Sequence, residues 1–220
     1  MQHLGFIVDG NRRWAREKNL PTLEGHRKGL EKVEDIIDET AKHHIPFVSF
    51  YLFSTENWDR SKEEVSYLMK LLGDNIGRLA KKMKKNDLKC IILGSKNRIA
   101  PKLLKKLRDA EELTKECLSG TVCFCFNYGG KQEIVDAANA AAKKGEITID
   151  SLEKHLYHPE VPPCDMIVRT SGEERISGFM LWRAAYSEFL FLKKYWPDIE
   201  PNDVEKILKN YQKRNRRFGK

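Results

Sequence analysis

The chain has 220 residues, of which 40% are hydrophobic and 33% charged. This apolar content suits one sizeable core and the length is short for two, so a single domain over residues 1–220 is expected. A formal charge of +8 favours anionic partners but does not choose among diphosphates, nucleic acid and acidic lipids. No segment reaches the roughly 20 apolar residues of a membrane span, and no signal peptide is visible at the amino terminus. We therefore expect a soluble protein that contacts membranes only transiently.

Apolar runs and amphipathic segments alternate along the chain. The apolar runs have the length of strands, and their continuous character predicts strands that are buried on both faces; they are residues 4–8, 47–53, 88–93, 121–127, 165–168 and 189–192. The segments between them have helical period and composition, and they are residues 24–44, 62–85, 102–117, 131–144 and 202–216. This alternation predicts an α/β fold with a mostly parallel central sheet flanked by helices.

The five cysteines indicate a reducing compartment. They are odd in number, lack CxxC pairing and lie mostly in apolar segments, where thiols usually pack as small hydrophobic groups. Cys123 and Cys125 are expected on one face of a strand, but a tetrahedral metal site needs further ligands at recognisable spacing. We therefore interpret them as core residues and expect a cytoplasmic location.

The first predicted strand runs into a polar turn. Ligands of open α/β sheets bind beyond the carboxyl ends of the strands, so the residues that follow each strand are candidates for chemistry. Asp9 supplies a carboxylate for a divalent cation, Gly10 permits a tight turn, and a helix is expected to begin near Asn11. Arg12 and Arg13 suit bidentate phosphate contacts. The alternative is an ordinary turn and helix cap, because Asp, Gly and Asn dominate such positions.

Two further loops follow predicted strands. Residues 54–60 combine hydroxyls, an amide, an indole and a guanidinium, as substrate-binding loops often do. The alternative is structural: Ser61 caps the next helix, Glu64 completes an S-x-x-E capping box, and Trp58 packs against the first turns. Residues 169–178 carry two arginines around a glycine, which fits a second diphosphate, although loop arginines are usually only solvated.

Two single residues are weaker candidates. His26 is expected in the first turn of the second helix, where an imidazole could approach a phosphate bound at the Asp9 turn. Glu188 opens the last predicted strand and could bind a metal or lie exposed. Taken alone, each has an equally good structural explanation.

Several blocks together resemble a known family. They are DGNRRWA from Asp9, the Gly25-His26 pair, FSTENW from Phe53, NYGG from Asn127, RTSGEERIS from Arg169, LWRAAYSE from Leu181 and RRFG near the end. In this order and spacing they resemble the signature blocks of cis-prenyltransferases of the undecaprenyl diphosphate synthase type. The resemblance implies a parallel-sheet fold with two diphosphate sites above a hydrophobic tunnel. It also implies condensation of isopentenyl diphosphate onto farnesyl or geranylgeranyl diphosphate, with Mg2+.

The resemblance also implies residue roles. Asp9 is the catalytic aspartate that positions Mg2+, and Glu188 is a second metal-associated carboxylate. The allylic diphosphate pocket comprises Gly10, Asn11, Arg12, Arg13, Trp14, Thr22 and His26. The loop that orients the substrates comprises Ser54, Thr55, Glu56, Asn57, Trp58 and Arg60. The clamp for isopentenyl diphosphate comprises Arg169, Arg175, Ile176 and Ser177. Arg217 and Gly219 form a motif that reaches across a homodimer to the partner's active site.

Asn57 is often given as the proton acceptor in the family, but a neutral amide is a poor base. We therefore expect Asn57 to orient substrate while a diphosphate oxygen accepts the proton.

The chain departs from the family pattern at three positions. Thr22 stands where many relatives carry an arginine, so either the affinity for diphosphate is expected to be lower or Arg16 or Lys18 is expected to supply the missing charge. Gly178 replaces a common asparagine, and Leu52 stands where long-chain synthases often have a small residue, which is expected to shorten the product. The tunnel is expected to be lined by residues that could equally be core, namely Val65, Leu68, Leu72, Ile91, Leu93 and Phe124.

Two other functions stay open at this point. A non-catalytic partner subunit of a heteromeric cis-prenyltransferase would share the same blocks, although the retained Asp9 and arginines speak against it. A nucleic-acid-binding module would fit the positive charge, but no helix-turn-helix, RRM or zinc pattern is present, so we expect no nucleic acid partner. A trans-type synthase would require DDxxD motifs, which the sequence lacks.

Overall fold

The structure is a computed structural model that describes residues 1–214. Its centre is a sheet of six parallel strands in the order β3-β4-β2-β1-β5-β6. The strands are β1 (His3–Ile7), β2 (Phe47–Ser54), β3 (Leu88–Leu93), β4 (Gly120–Tyr128), β5 (Met166–Arg169) and β6 (Glu188–Phe191). Each of the six apolar runs forms one of these strands, so the predicted parallel sheet is confirmed.

The strand order creates a switch point at β1. The chain passes from β1 to β2 on one side, and later returns to place β5 on the other side of β1. In open α/β sheets, ligands bind at such a point, in the crevice beyond the carboxyl ends of the strands. The residues that follow β1, β2 and β5 therefore meet at one edge of the sheet.

The helices fall where the sequence predicts them, and their ends agree with the prediction or differ from it by a few residues. They are α1 (Asn11–Glu17), α2 (Thr22–Lys42), α3 (Lys62–Lys85), α4 (Pro101–Thr114), α5 (Gly130–Ala142), α6 (Ile149–Glu153) and α7 (Pro201–Gln212). Short 3-10 helices follow β2 at Thr55–Asp59 and precede α7 at Trp196–Asp198. No sequence pattern predicts α6, which is only five residues long. No helix within residues 1–214 is both long and apolar enough to cross a membrane.

The two faces of the sheet carry different coverings. One face packs against α2, α3, α4 and α7 through a large apolar cluster that includes Ile36, Ile76 and Trp196. The other face packs against the segment between β5 and β6, through Phe179 and Met180. Cores of this kind explain why the strands are apolar on both sides.

The cysteines lie in this core. All five are free and buried, and Cys123 and Cys125 share the face covered by Phe179. Their interpretation as core residues is therefore confirmed. Within residues 1–214 no group of three or more His, Cys, Asp or Glu side chains is arranged to bind a metal ion.

Candidate active site

Asp9 lies at the switch point, two residues beyond the end of β1. Its carboxylate accepts a hydrogen bond from the Gly10 amide at 2.7 Å and from the Arg169 guanidinium at 2.8 Å. The nearest Arg13 nitrogen is 3.5 Å away. Burial alone would raise the pKa of Asp9, but the hydrogen bond and charge of Arg169 outweigh it and lower the pKa. Asp9 is therefore an anion held between cations.

Gly10 makes this arrangement possible. Its φ of +102° lies in the region that favours glycine, and it turns the chain from β1 into α1. A Cβ on Gly10 would also lie 2.6 Å from the Tyr195 ring. The turn thereby places Arg12 and Arg13 in the first turn of α1, beside Asp9.

Arg169 joins the two predicted diphosphate segments. It is the last residue of β5, its side chain is only 5% exposed, and it also donates to Ser177 Oγ at 2.8 Å and to the carbonyl oxygen of Arg175 at 2.6 Å. Its Nε is buried without a hydrogen-bond partner among the described residues. The guanidinium therefore fixes the loop after β5 against the turn after β1.

The same loop holds Arg13. Arg13 donates to Ser171 Oγ at 2.5 Å and to Glu173 at 2.9 Å. Ser171 has a φ of +76°, a strained value for a residue other than glycine. Strain of this kind persists when surrounding contacts enforce it, and it is common at binding sites.

Glu64 is a buried carboxylate that gathers the other cations. It lies in the first turn of α3, accepts hydrogen bonds from Arg60 at 2.9 Å and His26 at 3.0 Å, and has Arg12 at 3.6 Å. Burial alone would raise its pKa, but Arg60 and His26 outweigh it and lower the pKa of Glu64. Burial lowers the pKa of His26, which favours the neutral imidazole. Glu64 therefore ties together α1, α2 and the loop after β2.

The loop after β2 is braced by its own side chains. The Ser54 amide donates to Asn57 Oδ1 at 3.1 Å, and the Trp58 indole donates to Asn127 Oδ1 at 2.7 Å. The Trp58 ring packs edge-on against Phe53, with centroids 5.2 Å apart. Ser54, Asn57 and Arg60 of this loop line the same cavity as Asp9.

These groups enclose one cavity of about 450 Å3, which we call the arginine-lined cavity. Five arginines line it, and they are Arg12, Arg13, Arg16, Arg60 and Arg169. The other polar residues that line it are Asp9, Asn11, His26, Tyr51, Ser54, Asn57 and Ser177. A concave site with several guanidinium groups and one carboxylate suits multiply charged phosphate ligands.

An apolar pocket of about 50 Å3 lies deeper, between α2, α3 and the sheet. Leu52 lines both this pocket and the arginine-lined cavity, so it marks the boundary between them. The register of β2 against β4 passes from Tyr51 to Phe53, which leaves Leu52 as the extra residue of a bulge. Leu52 faces α2 and α3, as Phe50 does by strand alternation, and the bulge leaves Phe53 on this face as well.

The pocket corrects the expected tunnel lining. Leu68 and Leu72 line it, as expected. Ile91 and Leu93 lie on the opposite face of the sheet, and Val65 faces a different groove beside α4, because side chains alternate in a strand and rotate around a helix. Phe124 is fully buried in the core and is not part of the pocket wall.

Several predicted binding residues lie away from the arginine-lined cavity. Within residues 1–214 the ones that do not line it are Trp14, Thr22, Thr55, Glu56, Trp58, Arg175 and Ile176. Trp14 donates to Asp198 at 2.6 Å, and Arg175 binds Glu173 with its guanidinium largely exposed. Arg217 and Gly219 lie outside the described residues, as does the end of the predicted helix over 202–216.

Glu188 is far from Asp9 within this chain. The strand registers place Glu188 opposite Met166, and Met166 opposite Leu4. Asp9 lies five residues beyond Leu4, which corresponds to roughly 16 Å along the strands. Glu188 instead pairs with Arg214 at 2.7 Å. Glu188 therefore does not reach a metal ion bound at Asp9 of the same chain, and its role as a metal-associated carboxylate stays a prediction.

The sequence interpretation overlooked two residues of the site. The sequence pattern explains Glu64 only as part of a capping box. The backbone amide of Glu64 does donate to Ser61 Oγ at 3.2 Å. The Glu64 side chain, however, contacts His26 and Arg60. Tyr51 lines the cavity and donates to the carbonyl oxygens of Tyr128 and Ser177. Arg16, suggested as a substitute for the arginine missing at Thr22, does line the cavity, whereas Lys18 packs over Trp14.

An α/β sheet with an arginine-lined cavity above an apolar pocket has the features of proteins suited to phosphorylated apolar molecules. Comparison with known proteins agrees with this class. Residues 7–219 match the prenyltransferase family described as "Putative undecaprenyl diphosphate synthase". The chain therefore belongs to the undecaprenyl diphosphate synthase family of prenyltransferases.

Curated relatives span the whole chain. An isoprenyl transferase of Rickettsia bellii is 42% identical over 222 residues, which cover 100% of this chain and 98% of that protein. An isoprenyl transferase of Thermotoga maritima is 42% identical over 224 residues, covering 99% of this chain and 96% of that protein. These relatives are transferases of prenyl groups, and the family assignment from the sequence blocks is confirmed.

A solved structure has nearly the same fold. The lavandulyl diphosphate synthase of Lavandula x intermedia, in complex with dimethylallyl diphosphate, superposes with a TM-score of 0.96 at 30% identity. The match covers 100% of this chain and 98% of that one. This structural similarity also confirms the predicted fold class.

Proposed function

We propose that the chain is a catalytically active cis-prenyltransferase that condenses isopentenyl diphosphate onto an allylic diphosphate such as farnesyl or geranylgeranyl diphosphate. The observation that carries the proposal is the contact between Asp9 and Arg169. This ion pair joins the two segments that the sequence predicts as diphosphate sites, at the mouth of a cavity lined by five arginines. Two diphosphate groups brought together in this way place their carbon chains side by side.

The two sides of the cavity suit different diphosphates. Arg12, Arg13 and Arg16 lie on α1, above the apolar pocket that begins at Leu52, and this side suits the allylic diphosphate with its longer tail. Arg169 and Ser177 lie across from them and suit the short isopentenyl diphosphate. A guanidinium held by packing and hydrogen bonds stabilises the charge that develops on a departing diphosphate.

Mg2+ fits the donor set at Asp9. Magnesium in phosphate-transfer sites is commonly held by one or two carboxylates together with substrate phosphate oxygens, and Asp9 supplies one ionised carboxylate. When bound, the metal would neutralise part of the charge on the leaving diphosphate. Glu188 of the same chain would not contribute, because it lies at the other end of the strands.

Asn57 fits a positioning role. Its Oδ1 is already occupied by the Ser54 amide, and a neutral amide does not accept a proton. The Asn57 amide NH2 is left to donate a hydrogen bond to substrate. A diphosphate oxygen is the better proton acceptor for the step that forms the cis double bond.

Other expectations from the sequence stay predictions. They are a homodimer formed with the help of Arg217 and Gly219, a cytoplasmic location and transient membrane contact for product release. The alternative of a non-catalytic partner subunit is less consistent with the site, because Asp9 and all five arginines converge on one cavity within a single chain.

The test is an incorporation assay. The purified chain is incubated with Mg2+, labelled isopentenyl diphosphate and either allylic diphosphate, and products are resolved by chain length. We expect incorporation by the wild-type protein and a loss of at least 100-fold in Asp9→Asn, as is typical of removing an electrostatic catalytic group. The matched control is Asp35→Asn, an exposed aspartate of α2. Absence of incorporation with both primers would favour the partner-subunit function.

A further inference from the structure

A second and larger cavity lies outside the arginine-lined cavity. It is a groove of about 650 Å3 between α3, α4 and the 3-10 helix Thr55–Asp59, and we call it the α3–α4 groove. Its apolar wall is formed by Trp58, Val65, Met69, Ala100 and Leu103. A groove of this volume falls in the range of small-molecule sites, which are usually about 300–1,000 Å3.

The groove is separate from the apolar pocket beneath the active site. Leu68, Leu71 and Leu72 of α3 face that pocket, whereas Val65 and Met69 face the groove. At 100° per residue these two sets form adjacent stripes along α3, and each stripe lines its own cavity. Arg60 lines both the groove and the arginine-lined cavity, and it therefore stands between the two sites.

The rim of the groove is strongly cationic. Six basic residues line it, and they are Arg60, Lys62, Lys70, Arg98, Lys102 and Lys106. Asp74 is the one carboxylate among the described lining residues, and Lys70 at 2.7 Å and Lys106 at 3.6 Å already neutralise it. Lys62, Arg98 and Lys102 have no ion pair with any residue between 1 and 214. Their charge is available for an external anion.

Two of these cations lie where α4 begins. The residue before α4 is Ala100, which offers no side chain to cap the helix, and the first helical residue is Pro101. The amino-terminal end of a helix of this length carries partial positive charge, which adds to that of Arg98 and Lys102. The anion is therefore expected at this end of the groove.

Arg98 is held in place rather than free. Its guanidinium lies over the Trp58 ring, 4.4 Å from the centroid. The loop that carries Arg98 is fixed by Asn127, whose side-chain amide donates to the carbonyl oxygens of Ser95 and Asn97, each at 2.8 Å. A cation stacked on an aromatic ring beside an apolar wall is a preorganised site.

We infer that the α3–α4 groove binds a single anionic amphiphile, with one linear aliphatic tail along Val65 and Met69 and a phosphate head at Arg98 and Lys102. The combination of an apolar wall with unpaired cations at one end matches a molecule that is apolar along its length and charged at its end. This site is distinct from the two diphosphate positions proposed for catalysis, and it does not depend on them.

The test maps the position of a defined probe. Decyl phosphate with a diazirine at the tail end is bound to the full chain, photolysed, and the labelled peptides are identified by mass spectrometry. We expect label within residues 62–74 and 100–106 in addition to any label in the arginine-lined cavity. The uncharged probe, the corresponding decanol, should label the groove at least tenfold less. Label confined to residues that line the arginine-lined cavity would overturn the proposal.

Paired substitutions separate the head site from general charge. The double variant Arg98→Gln, Lys102→Gln should weaken groove labelling about tenfold, as expected for two partly exposed charge contacts, and leave isopentenyl incorporation unchanged. The control Lys105→Gln, Lys115→Gln removes the same amount of charge from α4 and its C-terminal cap, at residues that already pair with Asp109 and Glu112. Groove labelling of this control should equal that of the wild-type protein. Equal groove labelling in both double variants would contradict the inference. A second result would also contradict it: the Arg98→Gln, Lys102→Gln variant keeps normal groove labelling but no longer cosediments with phosphatidylglycerol vesicles. The cations would then bind a bilayer surface and not a single amphiphile.

Discussion

Replacing Glu64 by glutamine tests whether one buried carboxylate organises the cations of the active site. The substitution preserves size and removes the negative charge that faces Arg60 at 2.9 Å and Arg12 at 3.6 Å. Hydrogen bonds to charged groups contribute about 1.5–3 kcal/mol, and the partial exposure of both arginines reduces this, so we expect a loss of about 1–3 kcal/mol. At 1.36 kcal/mol per tenfold change, kcat/KM should fall roughly 5- to 150-fold.

The assay is the initial rate of labelled isopentenyl incorporation at varied concentrations of each substrate. Glu64 acts through the arginines and His26, so it is a positioning residue, and a loosened Arg60 should raise KM as well as lower kcat. Removal of the carboxylate should also lower the pKa of His26 further, since Glu64 is a cause that raises it, and NMR titration can measure this. Glu63→Gln is the matched control, because Glu63 is the exposed neighbour in the same helical turn. Rates within twofold of wild type in Glu64→Gln would refute the reasoning.

Three other predictions concern product length, stability and pH. Leu52→Ala should open the boundary between the two cavities and lengthen the products resolved in the incorporation assay; an unchanged distribution would show that Leu52 does not limit chain growth. Glu133→Ala should cost about 3–5 kcal/mol in urea unfolding, since it leaves the buried Arg183 unpaired, whereas Glu112→Ala on the surface should cost under about 0.5 kcal/mol. The pKa of Asp9 is lowered by folding, so its contribution to stability should be complete above about pH 3.9 and be lost as the pH falls through the lower folded value. Unfolding of wild type and Asp9→Asn across pH 2–7 should therefore differ by a constant amount down to about pH 4 and converge below it, and convergence near neutral pH would contradict this.

The fold was predictable because its local signals agree with its tertiary structure. Strands buried on both faces are read as unbroken apolar runs, and α3 has both a helical pattern and a capping serine at Ser61. The order of the strands was not predictable, because pairing of β1 with β5 joins residues more than 150 positions apart and leaves no mark on either segment. The short helix Ile149–Glu153 was missed because five residues cannot display a helical period.

One rule explains which of the predicted site residues lie together within this chain. Asp9 and Arg169 were placed correctly because both lie at the carboxyl ends of neighbouring parallel strands. Glu188 begins its strand, so the same rule places it at the opposite edge of the sheet, as the structure does. Glu64 was missed because a capping box already explained a glutamate at that spacing, and only the tertiary approach of α2 and the loop after β2 reveals its partners.

The distance along the chain between Asp9 and Arg169 has a consequence for biosynthesis. The two residues of the ion pair are 160 positions apart, and β1, the strand that carries Asp9, is flanked on one side by β5. While β5 is still inside the ribosome, β1 therefore has one unpaired edge and Asp9 lacks its partner Arg169. Such intermediates expose unpaired strand edges and are prone to misassociate. The newly made protein should consequently gain ligand affinity only after β5 has left the ribosome, when the second half of the anion site becomes available.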